Sequence, residues 1–364
     1  MAANQLDAVN LGAVAVNGQI HEDVMNAIYD VSPVDRPFCD AISGEGDASN
    51  TYKEWVREAL EAATKDNARI DGSSSSGLND TVTGERLGNY CQIMSKTVRV
   101  SDRGRNVNTI ASGDELIRQL MKRQKALRRD EEAAMVSRNA AVAGNGTDTA
   151  GKLAGVGAWI GTGQSSANSD RGAGAGADPV LSGDPGGFPT TAAVAGTKRA
   201  LSEGTIKDMM REAYENGGNP TMAMSTPTVI EILSDYLFTS SARVATIETS
   251  ASQSNRTNNG TGGGKSGGGV VAQGSVNILV TNFGTLELIP NRFQPVVAAG
   301  VADLYLLDPE LWERAYLQGY ETNELARDGL GENREITVDT TLCSLNEEGN
   351  AVVADIDTAL AATA

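Results

Sequence analysis

The feature that most constrains the fold is one long run of helix-compatible residues. From Asp114 to Ala143 the chain contains neither glycine nor proline, and its apolar residues recur with the spacing of one helical face. Ser112 and Glu115 have the spacing of a capping box, whose side chains bond the first free amides of a helix. We therefore predict a helix over residues 113–140, about 40 Å long. Its apolar stripe consists of Leu116, Ile117, Leu120, Met121, Leu127, Ala134 and Met135.

Two extended segments before this helix are predicted to pair with each other. Residues 52–63 are strongly patterned, with Trp55 and Leu60 among charged residues, and residues 89–101 alternate between two faces as a strand does. The polar stretch 71–77 lies between them and has the composition of a loop tip. We therefore predict a long β-hairpin. Because a hairpin alone cannot cover its apolar side chains, it needs a partner surface.

The N-terminal residues are predicted to form an arm. Pro33 and Pro37 restrict the backbone around them to extended conformations, and Phe38 follows as an apolar anchor. Such an arm could reach a neighbouring subunit, whereas a terminus docked on its own fold is the simpler alternative.

The rest of the chain mixes short helices and strands with glycine-rich loops. Residues 144–196 and 249–269 are rich in glycine and polar residues and are predicted to be mostly loop. Helical spacing predicts helices over 206–213 and 229–238, the second with Pro227 in its first turn. Apolar runs predict strands over 221–225, 276–282, 285–290, 304–307, 312–317 and 335–344. Helices combined with sheets built from non-adjacent segments indicate an α+β fold.

The composition argues against several functional classes. The formal net charge of −17 argues against a protein that wraps or reads nucleic acid. Cys39, Cys91 and Cys343 lie far apart and lack metal-ligand or redox spacing, so we expect free thiols in a reducing compartment. The N-terminus lacks the pattern of a secretory signal, and no stretch approaches the roughly 20 apolar residues of a membrane span. We therefore expect a soluble protein that is made in the cytoplasm and has no membrane partner.

No motif predicts a catalytic, cofactor-binding or metal site. Gly264-Lys265-Ser266 resembles the end of a phosphate-binding loop, but Asn259 stands where that loop needs its first glycine. His21 is the single histidine, which leaves a catalytic triad or a His-rich metal site without its residues. Acidic residues 130–132 follow two arginines, and ion pairing explains them more simply than a metal site does.

Several short motifs follow one another in a specific order along most of the chain. They are Pro33-Val-Asp-Arg-Pro37-Phe38 with Ile42; Glu54-Trp55 with Leu60, Asn67-Ala68 and Gly72; residues 89–93 with Lys96, Val98 and Ser101; Arg128-Arg129-Asp130-Glu131; Asn219-Pro220-Thr221; and residues 324–329 leading into Thr340-Thr341-Leu342. In this order they resemble the tailed-phage major capsid proteins of the Hong Kong 97 type. Residues 144–196 depart from the pattern of that family and look expanded.

The resemblance implies an α+β Hong Kong 97-like capsid fold. Its hairpin would lie over a neighbouring subunit, and its axial domain would cluster around symmetry axes. Its parts would be an N-terminal arm (1–51), an extended β-hairpin loop (52–101), a peripheral domain (102–219) with the spine helix 113–140 and the glycine-rich insertion 144–196, an axial domain (220–300), and a return to the peripheral domain with a C-terminal tail (301–364).

The function implied by the resemblance is structural and not enzymatic. Copies would assemble as hexamers and pentamers into an icosahedral shell that encloses double-stranded DNA without sequence-specific binding and without a cofactor. Portal and scaffolding or minor capsid proteins would be further partners, with assembly in the host bacterial cytoplasm and the product in the virion. The predicted contacts between subunits involve Phe38, Trp55, Leu60, Ile93, Val98, Arg128, Arg129, Asp130 and Glu131.

Three alternatives remain open from the sequence. They are an encapsulin-like compartment of the same fold, a phage tail or decoration protein, and a hydrolase that uses scattered carboxylates. Closed particles seen by microscopy would favour a capsid or an encapsulin, and small species would favour the other two.

Overall fold

The computed structural model describes residues 28–42, 44–72, 84–107, 109, 113–162, 168–174, 176–183, 187–239, 277–327 and 329–363. The chain divides into two units. The first contains Met1–Val34, Lys96–Lys125 and Thr322–Ile336, and the second contains Asp35–Ser95, Ala126–Glu321 and Thr337–Ala364. Two large hydrophobic clusters lie in the second unit, whereas the first unit holds a small one.

Helices and strands are mixed along the chain, as the sequence predicts. The described helices are α1 (Pro37–Ala41), α2 (Asp102–Asn106), α3 (Glu115–Met135), α4 (Val156–Trp159), α5 (Glu203–Glu215) and α6 (Pro227–Thr239), with a short 3-10 helix at Pro309–Leu311. The described strands are β1 (Gly44–Asp47), β2 (Tyr52–Arg57), β3 (Glu85–Tyr90), β4 (Gln92–Ser101), β5 (Ser169–Asp170), β6 (Val180–Leu181), β7 (Pro189–Thr191), β8 (Met222–Ser225), β9 (Ile278–Thr281), β10 (Gly284–Pro290), β11 (Val301–Leu307), β12 (Trp312–Leu325), β13 (Gly331–Ser344) and β14 (Ala351–Asp357).

A six-stranded sheet forms the centre of the second unit, with the order β5-β14-β11-β8-β10-β9. Strands β11 and β14 are buried at every position, and α5 and α6 pack apolar side chains such as Ile206 and Leu233 into the same cluster. The six predicted strands all fall on observed strands, and both predicted short helices are confirmed with longer bounds. Strand β14 was not predicted, because Asp355 and Asp357 interrupt its apolar pattern.

The predicted hairpin exists, but its second arm differs. Strand β2 pairs antiparallel with β3, from Tyr52 opposite Tyr90 to Arg57 opposite Glu85. Residues 92–101 instead form β4, an edge of the four-stranded sheet β1-β12-β13-β4. Polar and apolar residues alternate in the same way in β3 and in β4. The sequence therefore does not show where pairing with β2 ends and pairing with the other sheet begins. The buried Asn89 marks that end.

Asn89 fixes the base of the hairpin through its amide. Its Nδ2 donates to the carbonyl oxygen of Leu342 at 2.7 Å, and its Oδ1 accepts the amide of Ala154 at 2.9 Å. A fully buried side-chain amide needs such partners, because burying it unpaired would cost free energy. The tip of the hairpin, residues 73–83, lies outside the described residues.

Helix α3 spans about 31 Å and is shorter than predicted. Ser112, the predicted cap, lies outside the described residues, and the carboxylate of Asp114 accepts the amide of Leu116 at 2.9 Å. At the other end, the Ser137 hydroxyl donates to the carbonyl oxygen of Ala134 at 2.7 Å. That bond competes with the helical pattern, so the helix ends before residue 140.

A buried ionic network ties the chain after α3 to β11 and β14. The guanidinium of Arg138 binds both carboxylate oxygens of Asp303, with Nε at 2.6 Å from Oδ2, and lies 3.4 Å from Asp355. Asp355 has a φ of 61°, which is unusual for a residue other than glycine. Its Oδ2 accepts the amides of Gly172 at 3.0 Å and Gly196 at 2.8 Å. The network therefore also anchors the glycine-rich segment.

We expect Asp303→Ala to lower the free energy of unfolding by about 3 kcal/mol, because it leaves a buried guanidinium without its main partner. The control is Lys198→Ala, which removes the ion pair between the exposed Lys198 and Asp357. It should lower the free energy of unfolding much less. Urea unfolding of the two variants measures both. If both variants lost the same free energy of unfolding, the ion pair between Arg138 and Asp303 would be no more important for stability than an exposed one.

Asp339 of β13 is a buried carboxyl group whose Oδ1 has no hydrogen-bond partner among the described residues. Desolvation raises its pKa above the ordinary value. The folded state therefore holds the proton of Asp339 more tightly than the unfolded state does. It follows that Asp339 opposes folding at neutral pH, and that this effect disappears as the pH falls through the raised pKa.

Asp339→Asn should therefore increase the free energy of unfolding at pH 7, since the neutral amide has a smaller desolvation penalty. The difference from the wild type should shrink as the pH falls towards the ordinary carboxyl pKa of 3.8. Urea unfolding at several pH values measures it, with Asp47→Asn at an exposed position as the control. A variant that is less stable at pH 7 would contradict this interpretation.

Candidate assembly surfaces

The described residues offer no metal centre and no reactive thiolate. No group of three His, Cys, Asp or Glu residues that could hold a metal ion occurs in the described part of the chain. Burial raises the pKa of Cys91 to about 11 and that of Cys343 to about 12, and it also raises the pKa of Cys39 well above the ordinary value. These thiols stay protonated near neutral pH. His21 and residues 264–266 lie outside the described residues.

None of the described helices is both long enough and apolar enough to cross a membrane.

The acidic residues of α3 hold the N-terminal segment in place. The carboxylate of Glu132 is fully buried and accepts the amides of Phe38 at 3.0 Å and Cys39 at 2.9 Å. It also accepts Nδ2 of Asn291 at 2.6 Å. One carboxylate thus satisfies free amides of the short helix α1 and links it to α3. The spacing of residues 130–132 alone does not reveal this role.

Glu131 is buried as well and is bound mainly by groups distant in sequence. It accepts hydrogen bonds from the hydroxyls of Tyr316, at 3.0 Å, and Tyr320, and it pairs with Arg36 at 3.3 Å. Burial is the main reason why the pKa values of both tyrosines are raised. The ion pairing expected for the acidic run therefore joins Glu131 to Arg36, directly before α1. Together, Glu131 and Glu132 make this part of α3 a structural anchor.

The base of the hairpin is fixed by aromatic contacts. Tyr52 lies 4.7 Å from Tyr90, measured between ring centroids, and Trp55 lies 5.5 Å from Trp159. These rings pack against the larger of the two hydrophobic clusters. Arg57 ends β2 and forms an ion pair with a buried glutamate. The hairpin base is therefore held by its own subunit.

The segment beyond Arg57 is different, because it is exposed throughout. Residues 58–72 form no helix or strand and lie in solvent. Leu60 is 98% exposed, the highest value among the described large hydrophobic side chains, and Ile70 is 82% exposed. Two such side chains in one exposed segment make it a candidate contact surface.

Strand β2 also has a free edge, since its sheet contains only β3 among the described strands. The Cys91 amide donates to the Thr51 carbonyl oxygen at 2.8 Å, which fixes the alternation of an antiparallel pair. The backbone groups of Tyr52, Glu54 and Val56 therefore point away from β3. A groove of about 600 Å³ runs beside them, lined by Asp47, Ser49, Asn50, Tyr52, Lys53, Glu54, Trp55, Val56 and Arg86.

Among the described residues of the first unit, exposed large hydrophobic side chains outnumber buried ones. The buried ones are Val98, Val100 and Leu116, which form one small cluster, and Ile336. These few buried side chains give the unit little hydrophobic stability. The exposed large hydrophobic residues of this unit are Ile28, Tyr29, Val31, Val107, Ile117, Met121, Leu325 and Leu330.

The structure sorts the predicted contact residues into two groups. Phe38, Val98 and Glu131 are buried within the chain itself, and Trp55 is half-buried against Trp159. These four already have partners in their own subunit. The other five are exposed or partly exposed: Leu60, Ile93, Arg128, Arg129 and Asp130. The guanidinium group of Arg128 lies over the ring of Tyr320, and that of Arg129 lies over the ring of Phe293.

The sequence pattern places Ile117 and Met121 in the packed stripe of α3, but both side chains point outward. They are 55% and 54% exposed, whereas Leu116 and Leu127 of the same helix are buried. The apolar band of the helix is wider than one packing face, and the pattern alone does not say which of its edges is covered.

Comparison with known proteins identifies the family. The profile of the SU10 major capsid protein matches residues 4–357. The major capsid protein of Escherichia phage Phieco32 is 33% identical over 114 residues, which are 31% of this chain and 31% of that protein. The matched region thus spans about a third of this relative.

Solved structures show the fold. The capsid of cyanophage A-1(L) aligns with a TM-score of 0.53 at 14% identity, over 93% of this chain and 97% of that chain. The capsid of cyanophage P-SCSP1u aligns with a TM-score of 0.51 at 10% identity, over 94% and 93%. The SrpI encapsulin of Synechococcus elongatus PCC 7942 aligns with a TM-score of 0.50 at 9% identity, over 98% of both chains.

The predicted α+β fold of the Hong Kong 97 type is therefore confirmed, and phage capsids and an encapsulin share it. The family profile covers nearly the whole chain, and it is the profile of a phage structural protein. The chain belongs to the SU10 major capsid protein family.

Proposed function

We propose that copies of this chain assemble as hexamers and pentamers into the icosahedral shell around the double-stranded DNA of a tailed phage. The observation that supports this most directly is that exposed large hydrophobic side chains outnumber buried ones among the described residues of the first unit. Such a unit gains stability when copies cover one another, because burying apolar area is the main favourable term in association. When one surface of a subunit binds a different surface of the next subunit, the copies form a closed ring if the rotation between neighbours permits.

The domain arrangement predicted from the sequence is part of this proposal. Residues 1–51 act as an arm and residues 52–101 contain the loop that lies over a neighbour. The exposed segment 58–72, together with the free edge of β2, gives the loop a surface for that role. Of the predicted contacts, Leu60, Ile93, Arg128, Arg129 and Asp130 are the ones that retain exposed surface for another subunit.

The chain acts as a container and not as an enzyme in this proposal. Its net charge of −17 opposes close binding to DNA phosphates, which suits a wall around DNA that is not read by sequence. The portal and scaffolding or minor capsid proteins are its further partners. Assembly takes place in the host cytoplasm and the product is the virion. The capsid family profile favours this function over that of an encapsulin compartment.

Purified protein should form closed particles, seen by negative-stain microscopy and light scattering. Replacing residues 58–83 with a short Gly-Ser linker should abolish the particles, because it removes the exposed segment 58–72 and keeps β2 and β3. The free subunit should still unfold in urea as the wild type does, since the base of the hairpin is held by its own aromatic contacts.

The matched control replaces the exposed turn 145–149 with a linker of equal length, which removes no large hydrophobic side chain. This variant should assemble normally. Closed particles from the loop variant would disprove the role of the hairpin. Wild-type protein that remains monomeric at every concentration would disprove the proposed function itself.

A further inference from the structure

The segment Glu58–Glu61 has the composition of a docking peptide. Leu60 contacts almost nothing in its own chain, being 98% exposed. The exposed residues Glu58 and Glu61 flank it, and the segment Glu-Ala-Leu-Glu contains no basic residue. An apolar side chain between two carboxylates fits an apolar patch that is bordered by cations.

Helix α3 presents such a patch on its outer face. Ile117 and Met121 lie four residues apart, which places them one turn apart on the same face. Both are about half exposed. From Leu116 to Lys125 the helix carries Arg118, Lys122, Arg123 and Lys125 and no acidic residue.

The cations of this patch differ in how far they are already engaged. Arg118 is bound by Glu115 of the same helix. Lys125 lies 3.1 Å from the carboxylate of Asp30, in an ion pair that is exposed on both sides. An exposed pair of this kind contributes little and exchanges partners at low cost. Lys122 is exposed beside it.

The net charge also affects how copies meet. Copies that each carry a charge of −17 repel one another, so a contact that brings a positive surface against a negative one is favoured. The patch on α3 is basic and apolar, and the segment Glu58–Glu61 is acidic and apolar. A second copy of the same chain therefore supplies a complement for each surface.

We infer that the segment Glu58–Glu61 of one copy docks on the Ile117–Met121 face of α3 in a second copy. Leu60 covers Ile117 and Met121, and the two glutamates lie beside Lys122 and Lys125. The contact joins two different surfaces, so each copy still offers one free surface of each kind to the next. This inference rests on the proposed function and assigns residues to the contact that it requires.

Crosslinking in assembled particles tests the inference. Leu60→Cys combined with Met121→Cys should give, on oxidation, a ladder of covalent oligomers longer than dimers on a non-reducing denaturing gel. A chain with both thiols can link to two neighbours, so the ladder extends. The native thiols of Cys39, Cys91 and Cys343 are buried and should not contribute.

Two controls make the ladder specific. Leu60→Cys alone should give dimers at most. Leu60→Cys with Val280→Cys places the second thiol at an exposed apolar position on β9, and it should also give no ladder. A ladder with Val280→Cys and none with Met121→Cys would overturn the inference.

A charge exchange tests the same contact without cysteines. Glu58→Lys with Glu61→Lys should reduce the yield of particles, and so should Lys122→Glu with Lys125→Glu. All four changes together should restore the yield, because the opposite charges meet again. Particles from the wild type with neither ladder nor restoration would overturn the inference and leave the proposed function standing. Absence of any wild-type particles would overturn both.

Discussion

Apolar side chains that a subunit cannot cover with its own residues have to be covered by something else, and this constraint organises the whole molecule. Among its described residues, the first unit buries Val98, Val100, Leu116 and Ile336 and leaves side chains such as Val31 and Leu330 in solvent. Burial of apolar area is the dominant favourable term in folding, so these few buried side chains stabilise the unit only weakly. In the proposed shell, contact with further copies adds to this burial.

The second unit has the large hydrophobic core that the described part of the first unit lacks. Its six-stranded sheet has two strands that are buried along their full length, and Arg138 links the chain after α3 to that sheet through two buried aspartates. Glu132 accepts the amides of Phe38 and Cys39 and so links α1 to α3. These buried polar groups of the second unit are thus paired within the chain itself.

Most elements could be predicted from the sequence because they follow local periods. The long helix, the two helices with apolar stripes and the strands between 221 and 344 are read from spacing alone. The partner of a strand is not local information. Residues 89–101 alternate throughout, yet β3 pairs with β2 whereas β4 belongs to another sheet.

The residues predicted to contact other subunits show even more clearly that partners distant in sequence cannot be read from local patterns. Phe38 and Val98 looked suitable for a neighbour because they are apolar in segments predicted to extend, but tertiary partners in the same chain cover them. Glu131 looked like a surface charge because acidic and basic residues surround it, yet two tyrosines and Arg36 bind it. Leu60 is exposed, so its contact with another subunit stays a prediction. Burial by distant residues is decided by the fold and leaves no periodic signal.

The most direct test is hydrogen–deuterium exchange of the free subunit and of assembled particles under the same conditions. The account predicts that amides of the first unit, above all in Glu115–Lys125 and Gly331–Ile336, exchange quickly in the free subunit and slowly in particles. Amides of β11 and β14 should be protected in both. If the first unit were as well protected in the dilute free subunit as in the particle, the claim that copies of the chain stabilise it would be contradicted.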